Sequence, residues 1–241
     1  MKRTTRILAL VLMLCLLFST TAFAQAPVNA HSFPDVSVIS DDYPNPGLPI
    51  PIWFARYVQS AYDRDWVTGI RDPATGIYYF RPNAYLTRAQ AVAILARMAN
   101  AELEEQTYRP FPDVPAGNWA APYVAWARGI ENNIVEGRNV GGVRLFFPNE
   151  RITRQEFALM MMRFTYAIWE VDTSEFGENE QWDSFTDLNA VGGWARESLR
   201  WANSWYITIG SGNRIMPRSH TTRAQATAII VRMAVTFEPT D

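Results

Sequence analysis

The chain has 241 residues with 22 Lys and Arg against 24 Asp and Glu, a formal charge of −2 at pH 7. A mildly acidic chain without a basic block is a poor partner for nucleic acid, because neutralising phosphates takes clustered cations. One cysteine, Cys15, and two histidines, His31 and His220, supply no disulfide and no paired metal-ligand spacing, and no cofactor is expected.

In chain order, Lys2, Arg3 and Arg6 form a basic start, Ile7 to Phe18 an apolar run, and Ala22-Phe23-Ala24 a small-residue end. This pattern predicts a secretory signal peptide over residues 1–24. The apolar run is too short for a membrane anchor, so no transmembrane anchor is expected after cleavage. Cys15 lies inside that run, behind Leu14 where a lipoprotein signal has a small residue, so it is not read as a lipid site. Cleavage removes three cations and no acid, taking the formal charge from −2 to −5.

The rest of the chain repeats itself three times. Phe33-Pro34-Asp35-Val36, Phe111-Pro112-Asp113-Val114 and Phe185-Thr186-Asp187-Leu188 open each copy. Then Trp53, Trp119 and Trp194 start a helical pattern, which carries Ala61, Ala127 and Ala202 on the same face. Gly69, Gly137 and Gly210 close it, where positive φ is expected. After Pro82, Pro148 and Pro217, a second helix is predicted to open at Arg88, Arg154 and Arg223. Its apolar residues recur at helical spacing: Ala91, Ile94, Leu95 and Met98; Phe157, Met160, Met161 and Phe164; Ala226, Ile229, Ile230 and Met233. The expected units are residues 33–100, with a Pro-rich insertion over 40–51, then 111–168 and 185–237. One helix–loop–helix unit buries little alone, so the copies are expected to pack on one another as a mainly α bundle.

These landmarks resemble the S-layer homology (SLH) domain family, with its F-x-D-V opening, W-A-x-x-Y-V-like first helix and I-T-R-A-E start of the second. Trp119 to Val124 reads W-A-A-P-Y-V, and Ile152 to Glu156 reads I-T-R-Q-E. The resemblance implies three tandem repeats in a pseudo-threefold helical bundle. It implies a bacterial cell-surface location and attachment to the cell wall, commonly through a pyruvylated secondary polysaccharide held between repeats. The sequence departs from the family in having Gln90 and Gln225 where Glu is usual. The junction that uses Arg154 is the best family match.

Thr87 with Gln90, Thr153 with Glu156 and Thr222 with Gln225 each match a capping box, a structural role. A cation in the first turn opposes the helix dipole, so Arg88, Arg154 and Arg223 call for another reason. Each is expected to pair with the carboxylate of a pyruvylated sugar at a helix N-terminus. The alternative is a salt bridge between repeats, for example to Asp35, Asp113 or Asp187; those aspartates are read as turn or helix caps. Trp53, Trp119 and Trp194 suit a core more than a sugar platform at this spacing, but remain candidates, as do Trp126 and Trp201 for lining a groove. Gly69, Gly137 and Gly210 are turn residues that also let a ligand approach the backbone. Arg97, Arg163 and Arg232 suit the end of a helix. Neither histidine has a nucleophile context, so no catalysis is expected, and the resemblance implies an anchoring function. The competing reading is a surface scaffold that binds a protein partner and no glycan.

Overall fold

The computed structural model describes residues 33–36, 52–103, 108–129 and 132–239. The expected signal peptide and the Pro-rich insertion lie outside the described residues, apart from the turn at Ile52 that follows the latter.

Six α-helices carry the fold: α1 (Ala55–Asp63), α2 (Arg88–Met98), α3 (Ala121–Arg128), α4 (Arg154–Trp169), α5 (Arg196–Ser204) and α6 (Arg223–Phe237). The even-numbered helices start at the Arg because Thr87, Thr153 and Thr222 cap them. Each Thr side chain accepts from the third helical N–H, and the Gln or Glu side chain there accepts from the Thr N–H. The odd-numbered helices start two residues after Trp53, Trp119 and Trp194.

Two short hairpins interrupt the loops, which the sequence reading did not anticipate. β1 (Ile70–Arg71) pairs antiparallel with β2 (Tyr78–Tyr79), and β3 (Arg138–Val140) with β4 (Val143–Leu145). Strands of two or three residues carry too little alternation to be read from a pattern.

Each odd helix packs on the even helix of the preceding segment: α3 on α2, α5 on α4, and α1 on α6. Val58 and Ala61, Val124 and Ala127, and Leu199 and Ala202 are the buried stripe of the odd helices. The even helices are buried on more than the expected stripe. Val92, Ala93 and Ala96 of α2 and Thr227, Ala228 and Val231 of α6 are also inside, so these helices form the centre.

The three segments close on one another through backbone bonds. Leu86 N–H donates to Thr221 C=O, Thr221 N–H to Ile152 C=O, and Ile152 N–H to Leu86 C=O. All three residues are fully buried. Around this ring, the first two N–H groups of α2 donate to the carbonyls of Glu150 and Pro148. Those of α4 donate to Ser219 and Pro217, and those of α6 to Ala84 and Pro82.

Candidate functional site

The same three loops are gripped from two sides. Asp35 accepts from the N–H groups of Phe80 and Arg81, Asp113 from Phe146 and Phe147, and Asp187 from Ile215 and Met216. These carboxylates hold Arg81, Phe147 and Met216 in the left-handed region, at φ of 57°, 61° and 54°. The carbonyl of the first residue in each pair then accepts from an arginine of the preceding segment. Arg88 Nε donates to Phe146 O at 2.8 Å, Arg154 Nε to Ile215 O at 2.9 Å, and Arg223 Nε to Phe80 O at 2.6 Å.

Two expectations are corrected by this geometry. The N-terminal amides of the even helices are committed to neighbouring carbonyls and caps, so they offer no anion site. The arginines are buried ties between segments, with Nε and in two cases Nη2 committed to carbonyls. Besides their Nε bonds, Arg154 Nη2 donates to Ile209 O and Arg223 Nη2 to Thr68 O, at 2.8 and 2.7 Å. Nor do they bridge to Asp35, Asp113 or Asp187. Among the described residues the one carboxylate reached is Glu156, 2.9 Å from Arg88 Nη1. Burial lowers all three guanidinium pKa values, to about 10 for Arg154 and Arg223.

The glycines are corrected as well. Gly69, Gly137 and Gly210 are not among the glycines with positive φ. A Cβ on them would lie 2.5, 2.6 and 2.4 Å from the rings of Phe33, Phe111 and Phe185. The opening Phe of each segment therefore packs closely against its own glycine.

Trp53, Trp119 and Trp194 are 47, 55 and 57 % exposed, against the expectation of a core role. Trp201 is fully buried and stacked on Phe237 at 5.4 Å, so it lines no groove. Trp126 is half-buried and packed against the core.

Two of the clefts between segments, among the described residues, include a tying arginine. The first, of about 200 Å³, combines Arg223 of the third segment, Gln90 and Arg97 of α2, and Trp119 of the second segment. The second, of about 310 Å³, combines Arg88 of the first segment, Gly137, Glu156 and Arg163 of the second, and Trp194 of the third. The roles correspond one to one: a tying arginine, the capping Gln or Glu, a helical arginine and an exposed tryptophan. At the third junction the corresponding residues are Arg154, Gln225, Arg232 and Trp53. The sequence reading missed Arg97 and Arg163 as cleft residues. Helix-end placement also fails for two of the three, since α4 and α6 continue well beyond Arg163 and Arg232. Their nine-residue spacing from the tying arginines was the available signal.

No family model matches the chain. It is 30 % identical over 180 residues to an amylopullulanase of Thermoanaerobacterium thermosulfurigenes, covering 74 % of this chain and 9 % of that protein. It is 27 % identical over 235 residues to an endoglucanase of Bacillus sp. (strain KSM-635), covering 95 % and 22 %. It is 26 % identical over 154 residues to the S-layer protein sap of Bacillus anthracis, covering 64 % and 17 %. The chain thus spans less than a quarter of the length of these relatives. With further relatives named as S-layer proteins and a cell surface glycoprotein, the chain is a cell-surface protein. Among the described residues no helix is long and apolar enough to cross a membrane.

Proposed function

We propose that this chain is a non-catalytic attachment module with the S-layer homology fold, three repeats closed into a pseudo-threefold bundle. It holds an anionic, pyruvylated cell-wall polysaccharide in the clefts between repeats. The observation that carries this reading is the recurrence of one set of groups in two of the clefts: an exposed tryptophan beside a buried tying guanidinium. An aromatic face suits the apolar side of a sugar ring, and a guanidinium suits its carboxylate. The matched relatives support an anchoring role in a second way. A stretch common to proteins named as glucanases and as S-layer proteins is expected to carry what they share, not the hydrolysis.

The test is co-sedimentation of residues 25–241 with purified wall sacculi, before and after chemical removal of the polysaccharide. Trp119→Ala is the informative variant, because its exposed ring can be lost without opening the core, whereas the tying arginines cannot. Binding that needs the polysaccharide and weakens in Trp119→Ala is expected. Equal binding to stripped sacculi would instead favour the protein scaffold.

A further inference from the structure

The corresponding positions of the two clefts differ in charge, and the difference decides which cleft has a cation to offer. In the second cleft every guanidinium has a carboxylate. Arg88 pairs with Glu156 at 2.9 Å, Arg163 with Glu136 at 3.2 Å, and Arg138 with Glu150. In the first cleft the residue matching Glu156 is Gln90, whose carbonyl oxygen is taken by the Thr87 N–H. Its amide nitrogen is left as a donor. Arg223 Nη1, the atom corresponding to the one Glu156 occupies on Arg88, has no hydrogen-bond partner among the described residues. Arg97 has no ion pair there either. The carboxylate nearest Arg223 in effect, Asp35, is already committed to the Phe80 and Arg81 amides.

We propose that the third residue of each even helix selects which clefts take the anionic ligand. Gln90 leaves the first cleft open to a single carboxylate beside Trp119, and Glu156 closes the second with an internal carboxylate on Arg88. This rests on the glycan-binding reading; the Gln departs from the family pattern and yet leaves the site open. The capping box survives the exchange: both reciprocal bonds are present with Gln at Thr87 and Thr222 and with Glu at Thr153, where the Thr hydroxyl in addition donates to Glu156. Glu156→Gln is therefore expected to fold, as its residue is native at both other positions.

The experiment labels the protein with fluorotryptophan and follows Trp119 and Trp194 by fluorine NMR. Two probes are titrated: a methyl hexosaminide bearing a pyruvate ketal, and the acyclic ketal acid dimethoxypropionate without sugar. In the wild type both probes are expected to move Trp119 and leave Trp194 unmoved. Gln90→Glu is expected to weaken the Trp119 response about tenfold or more, the loss of one charge-assisted contact. Glu156→Gln is expected to make Trp194 respond. Equal response of both tryptophans in the wild type, or variants that change neither, overturns the proposal. If only the acyclic acid moves Trp119, the charge selection stands and the glycan reading falls. If neither probe moves Trp119, both fall.

Discussion

The tying arginines are where chemistry and architecture meet. Arg154 is buried, with donors on the carbonyls of Ile215 and Ile209. Removing it leaves two acceptors without partners, so Arg154→Ala is expected to lower stability by about 3 kcal/mol, measured by urea denaturation. An unchanged midpoint would mean the guanidinium is not a tie. Asp187 gives a pH-dependent counterpart. Burial pushes its carboxyl up, but the amides of Ile215 and Met216 and the Arg214 guanidinium outweigh this and hold it below the usual range. A depressed folded pKa means that its contribution is fully present above the unfolded value of about 4 and is lost as pH falls below it. Asp187→Asn is expected to flatten the stability–pH profile below about pH 4, as read by thermal melts. Thr221 is the polar member of the central ring, and its hydroxyl is buried without a partner among the described residues. Leu86 and Ile152 fill the corresponding places. Thr221→Val is therefore expected to be neutral or to stabilise by about 1 kcal/mol.

At the scale of elements, what the sequence made legible was local. The capping boxes and the start of α2, α4 and α6 depend on residues three apart, and those signals were readable from Thr87, Thr153 and Thr222. The odd helices were readable as a face, through Val58, Val124 and Leu199, but not in their first residue. Trp53, Trp119 and Trp194 lie just ahead of the helix and outside its periodic frame, which is why a core role was expected and exposure found. The fate of Arg88, Arg154 and Arg223 was not legible, because it depends on a carbonyl in another segment. The glycines misled for a related reason: their partner, the opening Phe, is far away in sequence. Gly137→Ala would place a Cβ 2.6 Å from both the Phe111 ring and the Leu145 carbonyl. It is expected to cost about 1–3 kcal/mol by overpacking, seen as a lower Tm with the helical content retained.

At the scale of the molecule, the segments are joined in a closed cycle, not an open stack. In an open repeat array each unit contacts only its chain neighbours and can fray from an end. Here α1 rests on α6, and Arg223 ties the last segment to the first loop. Unfolding is expected as one cooperative transition, with tryptophan fluorescence and far-ultraviolet circular dichroism coincident in urea. Deleting residues 185–241 is expected to collapse the remainder instead of leaving two folded segments. The closed cycle also gives the clefts rigid walls, since each is built by residues from all three segments.

The most direct test of the account is hydrogen–deuterium exchange on the full chain with and without purified wall polysaccharide. Protection is expected over residues 67–70 and 90–97, walls of the cleft that joins Arg223 to Trp119. The separate pocket around Arg64, Asn100 and Val235 is expected to remain unchanged. Protection confined to that separate pocket, or none at saturating polysaccharide, would contradict attachment through the clefts.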